Sequence, residues 1–294
     1  MEVKKISRNL HAITLQKEDK RIALLSDIHW DNPKCDRVKL KRHLDYFLEH
    51  QIPIFINGDF FCLMQGRGDK RGNKSDILPE HNNARYLDSV IDTAVDWWSP
   101  YAHLITVIGY GNHETSIIKY QETDVLQRFV DLLNYKNKTS VYTGGYGGWI
   151  VFKYKVYETT ILTKTMKYFH GSAGGGIVTR GAINLTRALE IYENMDIFVM
   201  GHIHENSSRN DVRDSIHYNQ GKRCYEIEQR HIHQAILGTY KEEYGDGFGG
   251  WHIERGAPVK PTGGRILTFD GFAKLDKEGN KTYELLIDSI KIPL

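Results

Sequence analysis

Five short polar motifs, each placed directly after an apolar run, constrain this chain more than any other feature. In chain order the motifs are Asp27-Ile28-His29, Gly58-Asp59, Gly111-Asn112-His113-Glu114, His170-Gly171 and Gly201-His202-Ile203-His204. The apolar runs before them cover residues 21–26, 53–57, 104–110, 166–169 and 196–200. Short apolar runs bounded by Gly, Asp and His are typical of buried strands. Helices are predicted over 38–50, 84–98, 123–133 and 180–193, so the chain is expected to be an α/β protein.

The side chains of the motifs predict a metal site. Ligands of open α/β sheets collect at the carboxyl ends of the strands, so these loops are expected to meet at one edge. Two carboxylates, one amide and four imidazoles, with no thiolate, suit Mn, Fe, Zn, Co or Ni rather than a structural zinc site. Seven ligands suit two divalent ions that share a bridge, the arrangement used for in-line displacement at phosphorus. The candidate ligands are Asp27, His29, Asp59, Asn112, His170, His202 and His204.

The same motifs resemble those of the calcineurin-like metallophosphoesterase superfamily, whose pattern is DxH, GD, GNH[DE], an isolated His and GHxH. All five are present and in order. The resemblance implies a two-sheet sandwich flanked by helices, a four-layer αββα arrangement. It also implies hydrolysis of a phosphate ester by a hydroxide that two metal ions activate. The motif order and the short GHIH ending look most like the repair-exonuclease and small-phosphodiesterase branches.

Carried over residue by residue, the resemblance assigns a role to each motif position. Asp27, His29 and His204 would bind the first metal. Asn112, His170 and His202 would bind the second, and Asp59 would bridge the two. His113 looks like the catalytic histidine, the alternative being a supporting role without proton donation. Glu114 is expected to orient His113 through a hydrogen bond.

The second motif departs from the family pattern. Many members continue it as GDxxD, whereas this chain has Cys62 in place of the last carboxylate. Asp59 is intact, so the predicted ligand set is unchanged. A single Cys after two Phe residues is expected to pack in the interior rather than bind metal. The substitution is expected to change how the residues around the metal ligands orient them.

Basic segments suggest how a substrate is held. The Gly-rich loop 65–74 carries Arg67, Lys70 and Arg71, which are expected to contact substrate phosphates or a nucleic-acid backbone; the alternative is a solvated loop. A second basic cluster lies in 34–43. The small residues of 171–176 form either a turn or a phosphate-binding loop. Three aromatic residues after the last motif are expected either to stack on bases or to pack the loop. They are Tyr240, Tyr244 and Trp251.

Composition limits the class of protein. Hydrophobic residues make up 40% and charged residues 26% of the chain, which is ordinary for a globular domain. We expect a single domain over 1–294, with inserted loops at about 65–80 and 205–265, and a β-hairpin turning at 219–221. The first ten residues lack the apolar core of a signal peptide, and no apolar stretch approaches the roughly 18–20 residues of a membrane span. Three dispersed Cys residues argue against a disulfide framework. A cytoplasmic protein without membrane contact is expected.

Together these features predict a metal-dependent phosphodiesterase or nuclease, with a phosphate ester, nucleotide or nucleic acid as substrate. The net charge is only +2, so any nucleic-acid footprint must be local. Two alternatives stay open. One is a phosphomonoesterase that acts on a protein or a small molecule. The other is a binding scaffold, non-catalytic or dependent on a partner, in which the hairpin after the last motif would dock a partner or form a homodimer.

Overall fold

The secondary structure comes from a computed structural model, which describes residues 2–18, 20–63, 76–156, 160–172, 176–245, 247–248, 251–254, 256–275, 279 and 281–293. The strands are β1 (Glu2–Ser7), β2 (Leu10–Leu15), β3 (Arg21–Leu25), β4 (Ile54–Asn57), β5 (Ile105–Gly109), β6 (Tyr142–Thr143), β7 (Gly147–Lys155), β8 (Ile161–Phe169), β9 (Ile197–Met200), β10 (Ser207–Asn219), β11 (Cys224–Ile236), β12 (Arg265–Leu275) and β13 (Lys281–Lys291). The α-helices are α1 (Arg37–Glu49), α2 (Tyr86–Trp98), α3 (Asn112–Gln121), α4 (Val125–Asn137), α5 (Ala182–Ile191) and α6 (Trp251–Glu254), and 3-10 helices cover Pro79–His81 and Ser99–Leu104.

The strands form two mixed sheets. One has the order β13-β12-β3-β4-β5-β6, and its strands β3 to β6 are parallel. The other has the order β1-β2-β7-β8-β9-β11-β10, with β8, β9 and β11 parallel. The motif strands therefore divide between the sheets: β3, β4 and β5 lie in the first and β8 and β9 in the second. The expectation of a single sheet edge is wrong, because the ligand loops leave the ends of two facing sheets.

Alternating side chains of the strands separate three apolar layers. Ala23 and Leu25 of β3 pack with α1, α2 and α4 on the outer face of the six-stranded sheet. Ile22 and Leu24 point to the opposite face, where they pack against strands of the seven-stranded sheet. Helix α5 covers the outer face of that second sheet together with residues of β9 and β11. Because period-2 alternation supplies both faces of each sheet, the order of layers is helix, sheet, sheet, helix. The predicted four-layer α/β sandwich is confirmed.

Several elements differ from the sequence-based expectation. Helix α3 was not predicted, because it begins inside the third motif and its apolar periodicity is weak. The segment 205–265 is more than a loop, since 207–236 supplies the last two strands of the seven-stranded sheet. These strands pair along 13 residues in a continuous register that ends with Asn219 opposite Cys224, so the hairpin turns where the sequence predicts. In the part of the chain that the structure describes, no helix is both long and apolar enough to cross a bilayer.

Candidate metal centre

The five motif loops converge where the two sheets meet. Asn57, the last residue of β4, connects the sheets: its Nδ2 donates to the carbonyl of Phe169 at 3.1 Å, and its own carbonyl accepts from Nδ1 of His170 at 2.8 Å. The hydroxyl of Ser26 donates to the same Asn57 carbonyl at 2.9 Å. From the second sheet, the backbone amide of His202 donates to Oδ2 of Asp27 at 2.9 Å. These bonds fix the loops of one sheet against those of the other.

The ligand residues have an unusual backbone. Asp27, His29, Asp59, His202 and His204 all have positive φ, at 51°, 48°, 46°, 68° and 56°. Residues other than Gly rarely adopt this left-handed region, and when several cluster they mark a functional site where surrounding contacts hold the strain. One such contact is the His29 amide, which donates to the Asp59 carbonyl at 3.0 Å. The strained turns point these side chains toward a common centre.

The glycines of the motifs allow this close approach. A Cβ on Gly111 would lie 2.0 Å from Oδ1 of Asp59, and a Cβ on Gly201 would lie 2.0 Å from the hydroxyl of Ser26. Neither neighbour has room to move, since both belong to the buried floor of the site. Gly at these two positions is therefore required by packing around the ligands.

One cluster consists of Asp27, His29 and His204, whose donor atoms all lie within 4.8 Å of one another. Nε2 of His204 is 3.2 Å from Oδ1 of Asp27. Both ring nitrogens of His29 and Oδ1 of Asp27 are buried without a hydrogen-bond partner among the described residues. Buried polar atoms ordinarily have partners, so atoms of this kind that point to one centre are suited to bind a ligand. Nitrogen and oxygen donors of this kind fit a divalent transition metal.

A second cluster lies beside the first and consists of Asp59, His170 and His202, also within 4.8 Å. Nε2 of His170 is 3.2 Å from Oδ2 of Asp59. The amide oxygen of Asn112 joins this group, 2.8 Å from Nδ1 of His202 and 3.3 Å from Nε2 of His170. Oδ2 of Asp59 is also 4.0 Å from Nε2 of His29. The Asp59 carboxylate therefore lies between the two clusters, and the structure brings together all seven candidate ligands.

The charges of the centre follow from burial and from these contacts. Burial, and after it the charges of His113 and Lys241, keep the pKa of His29 well below its ordinary value. Burial also opposes protonation of His170, but the neighbouring carboxylate of Asp59 outweighs it and raises the pKa to about 10. His170 and His113 in turn hold the pKa of Asp59 well below its usual range despite burial. In the protein without metal, Asp59 and His170 thus form a buried ion pair. The same two side chains are candidate ligands of the predicted metal ions.

His113 lies at the edge of the two clusters. Its backbone amide donates to Oδ1 of Asp59 at 3.0 Å, and its ring Nδ1 hydrogen-bonds to the carbonyl of Cys62 at 2.5 Å. The other ring nitrogen, Nε2, is 3.9 Å from Oδ2 of Asp59. The imidazole therefore presents Nε2 to the centre.

Glu114 does not have the expected contact. Its carboxylate accepts from the backbone amides of Asp59 at 3.2 Å, Phe61 at 2.9 Å and Gly111 at 2.8 Å. A hydrogen bond to the His113 ring was the sequence-based expectation, and it is wrong for this conformation, because the ring bonds the Cys62 carbonyl instead. Burial, followed by the charge of Asp59, raises the pKa of Glu114 to about 8. Glu114 thus acts on His113 only through the backbone that it holds.

Asp31, which the sequence analysis did not single out, also holds the backbone that follows Asp59. It is buried, and its two oxygens accept from the amides of Cys62 at 2.5 Å and Leu63 at 2.9 Å. Together with Glu114 it fixes the backbone from Asp59 to Leu63, which carries both the central carboxylate and the carbonyl that His113 uses. The sequence feature that could have identified Asp31 is its position two residues after the last residue of the first motif, His29.

Comparison with known proteins finds only structures of low similarity. No protein-family model and no curated protein matches the sequence. Solved structures with some likeness include Vps29 from Chaetomium thermophilum, at 9% identity and a TM-score of 0.34 over 94% of this chain and 100% of that chain. A hypothetical protein from Thermus thermophilus gives 10% identity and a TM-score of 0.29 over 93% of this chain and 100% of that chain. TM-scores of this size do not establish a shared fold, so the character of the site rests on its own geometry.

Other predicted residues have different outcomes. Arg67, Lys70 and Arg71 lie outside the described residues, and so do the middle of the 171–176 loop and the side chain of Trp251. Tyr240 is fully buried with its hydroxyl 2.8 Å from Nδ1 of His43, so it packs the interior and is not available to stack on a base.

The basic cluster at 34–43 is largely committed to structural contacts. The guanidinium of Arg37 lies over the ring of Trp30 at 4.2 Å and donates to its carbonyl. Lys39 donates to the hydroxyl of Thr262 at 3.0 Å, and Lys41 pairs with Asp45 at 2.7 Å. These contacts disfavour a phosphate-binding role for the cluster.

Lys241 is a second residue that sequence analysis missed. The hydroxyl of Thr239 and the amide of Tyr240 both donate to the carbonyl of Asp27, at 2.7 Å and 3.0 Å. This anchors the segment beside the first motif, where the Lys241 ammonium is near enough to influence the pKa of His29. No local pattern marks Lys241, because it reaches the centre only through the tertiary fold.

Proposed function

We propose that the protein is a metal-dependent phosphodiesterase that hydrolyses phosphate esters with water as the nucleophile. The observation that carries the proposal is the pair of adjoining nitrogen and oxygen clusters with the Asp59 carboxylate between them. Asp27, His29 and His204 would hold one ion. Asn112, His170 and His202 would hold the other, with Asp59 shared by both. The donor set suits Mn, and Fe, Zn, Co or Ni are also compatible.

Two bound divalent ions would supply electrostatic stabilisation of the phosphoryl oxygens and a lowered pKa for water. The protein contributes the positions of the ligands, which strained turns and buried hydrogen bonds keep in place before substrate arrives. Such preorganisation avoids rearrangement during the reaction and is a main source of rate enhancement.

The role proposed for His113 is general acid. Its Nδ1 is bound to the Cys62 carbonyl, so Nε2 is the atom that would hold a proton for the departing ester oxygen. The proposal needs no side-chain nucleophile, so no covalent phosphoenzyme is expected.

A diester substrate is favoured by the resemblance of the motif order and of the GHIH ending to the exonuclease and small-phosphodiesterase branches. A nucleotide or nucleic acid is the corresponding substrate class. The alternatives are a phosphomonoesterase and a scaffold that binds metal without turnover.

The test is hydrolysis by protein loaded with Mn²⁺, measured in parallel on bis(p-nitrophenyl) phosphate and p-nitrophenyl phosphate. We expect the diester to be cleaved faster. Asp59→Asn is expected to lower the rate by more than about 100-fold, because it removes the shared charged ligand. Asp92→Asn, which neutralises an exposed carboxylate on α2, is the matched control and should keep full activity.

Each outcome decides between the candidate functions. Full activity of Asp59→Asn with added Mn²⁺ would refute the proposed mechanism. Faster cleavage of the monoester would support a phosphatase instead. No turnover of either substrate by protein that binds two metal equivalents would support the scaffold.

A further inference from the structure

The hairpin of β10 and β11 extends well beyond the sheet that carries it. Strand β9 pairs with β11 at residues 233–236, whereas β10 pairs with β11 along its whole length. Residues 211–232, here called the arm, therefore form a two-stranded ribbon with no third strand among the described residues. A two-stranded hairpin by itself is marginally stable in water and gains stability when an apolar face packs against another layer.

One face of the arm is apolar and exposed, and it is called the apolar face below. Alternation along the paired strands places five large side chains on it. They are Val212, Ile216, Tyr218, Tyr225 and Ile227, with exposed fractions of 52%, 71%, 50%, 77% and 75%. Ile216 lies directly opposite Ile227, and the rings of Tyr218 and Tyr225 meet edge to face at 5.2 Å. At about 150–250 Å² for a large side chain, the five expose roughly 500–800 Å², which is at or above the largest patch of most monomers.

The opposite face of the arm is polar. It places Ser215 and His217 of β10 against Glu228 and Glu226 of β11. Nζ of Lys222 lies 3.3 Å from the carboxylate of Glu226. The arm is thus amphipathic in the manner of an antiparallel sheet that packs one face and exposes the other to water. The apolar face is the one that calls for a partner.

The order of side chains along the apolar face indicates what that partner is. Asp214 lies opposite Gln229, so a polar row separates Val212 from the pair of isoleucines. The pair of tyrosines follows the isoleucines on the side of the turn. A lipid surface or an aliphatic peptide would bury the polar row without hydrogen-bond partners, at a cost in free energy. The same face turned end to end offers tyrosine hydroxyls at that position, so the face is complementary to itself.

We infer that the apolar face binds the apolar face of a second copy of the chain, about a two-fold axis that runs along the pair of isoleucines. The two arms run antiparallel, and each isoleucine meets its own equivalent. The hydroxyl of Tyr218 donates to the Asp214 carboxylate of the second copy, and the hydroxyl of Tyr225 bonds the Gln229 amide of the second copy. A self-complementary patch on a two-fold axis is the usual interface of a homodimer.

The size and the charges of the apolar face agree with a dimer. Two faces together bury roughly 1,000–1,600 Å², which overlaps the about 1,200–2,000 Å² of a stable specific interface. Each Asp214 lies two residues from the axis, so the two carboxylates are about 13 Å apart along the arms. This exceeds the Debye length of about 8–10 Å at physiological salt, so their repulsion is largely screened. The dimer requires neither bound metal nor turnover, so the inference does not depend on the proposed function.

Sedimentation equilibrium of the full chain is the first test. We expect wild type, whose single chain has a mass of 33.9 kDa, to dimerise with a Kd below about 100 μM. Ile216→Thr/Ile227→Thr should raise Kd by at least about 100-fold, because each dimer loses four buried isoleucines. Threonine is also β-branched, so the strands of the arm are retained. The matched control is Ser215→Thr/Glu228→Thr, at exposed paired positions on the polar face, and it should dimerise like wild type.

Cross-linking locates the contact independently of affinity. The background is Cys224→Ser, because Cys224 is the exposed native cysteine. A short bismaleimide should join two copies of Ile216→Cys, since these positions meet at the axis. Ser215→Cys, on the opposite face of the same strand, should not be joined. Thermal denaturation verifies that the variants are folded, and the single variant Ile227→Thr repeats the sedimentation test if the double variant melts at a lower temperature.

Three results would overturn the inference. Wild type that stays monomeric up to about 100 μM would leave the apolar face to a peptide or a lipid surface. An unchanged Kd in the isoleucine variant would place the dimer contact elsewhere on the molecule. Equal cross-linking from positions 215 and 216 would show that the copies meet through strand edges. Loss of the dimer in the isoleucine variant but not in the control, together with cross-linking from position 216 but not from 215, supports the inference.

Discussion

The ring Nδ1 of His113 and the main-chain oxygen of Cys62 are 2.5 Å apart, and this contact determines the tautomer of the imidazole. A carbonyl oxygen only accepts, so Nδ1 must carry a hydrogen. The nitrogen that faces Asp59 is therefore Nε2, which either accepts a proton or, in the charged ring, donates one. A histidine held in this way presents a single ring nitrogen, Nε2, to the candidate metal centre.

His113→Ala is expected to lower kcat for the diester by roughly 10²–10⁴-fold, the usual contribution of a general acid. Metal stoichiometry should stay the same, because His113 belongs to neither of the two ligand clusters described above, Asp27/His29/His204 and Asp59/His170/His202. Steady-state kinetics and metal analysis by plasma emission check this. A loss of bound metal that accounts for the whole fall in rate would instead give His113 a supporting role.

Glu114→Gln is expected to destabilise the fold by about 1–3 kcal/mol. The carboxylate accepts three backbone amides with two oxygens, whereas the amide side chain of Gln has only one oxygen, so a buried N–H loses its acceptor. Urea denaturation of metal-free protein at pH 9, where the raised pKa of Glu114 leaves the carboxylate ionised, measures the effect. Glu122→Gln, at an exposed position just after α3, is the matched control. Equal stability of the two variants would contradict the support assigned to Glu114.

Cys62→Ser is expected to keep the metal content of wild type and its activity within a few-fold. Burial, and after it the charge of Asp31, raises the pKa of the Cys62 thiol, so the thiolate that a metal requires is disfavoured. The sulfur instead accepts a hydrogen bond from Nδ2 of Asn32 at 3.2 Å, which a hydroxyl can replace. Metal titration of both proteins is the measurement, and loss of one metal equivalent in the variant would make Cys62 a ligand.

His233 should make the fold less stable in mild acid. Burial lowers its pKa to about 4, and the ring bonds Oδ1 of Asn210 at 2.6 Å and the hydroxyl of Ser289 at 2.8 Å. The unfolded chain takes up the proton near pH 6.5, but the folded chain does not, so stability is present above that pH and falls as the pH drops toward 4. Between pH 7 and pH 5 the loss is about 2 kcal/mol.

The check is urea denaturation of wild type and His233→Asn at both pH values. Other buried histidines titrate equally in the two proteins, so the difference between their pH dependences reports His233. The variant should lose about 2 kcal/mol less than wild type between pH 7 and pH 5. Parallel pH dependences would show that His233 is not the group responsible.

Much of this arrangement is predictable from the sequence, for identifiable physical reasons. The apolar runs before the motifs are too short for helices and are bounded by Gly and Asp, so their strand character follows from local pattern. The nearness of His29 and Asp59 follows from the tendency of ligand loops to gather at the carboxyl ends of neighbouring parallel strands, here β3 and β4. The division of the motif strands between two sheets does not follow, because strand pairing is a property of the whole fold.

Residues that contact the backbone of distant segments could not be predicted from local sequence patterns. Glu114 occupies a motif position, but its bonds reach amides more than 50 residues away in the chain. Lys241 is placed by hydrogen bonds to the Asp27 carbonyl from a segment that has no sequence signature. Such contacts depend on which loops the fold brings together. A single sequence shows which side chains could make hydrogen bonds, but it does not show which backbone groups they will meet.

Because Asn57 and His170 join loops of different sheets, the geometry of the centre reports the alignment of the two layers. Each ligand cluster takes residues from both sheets, so a slide of one sheet over the other by a fraction of an ångström would alter the distances between ligands within each cluster. Phe55 and Tyr168, whose rings meet edge to face at 5.0 Å in the core between the sheets, oppose such a slide. The apolar packing between the sheets therefore sets the spacing of the candidate metal ligands, although none of its side chains is itself a candidate ligand.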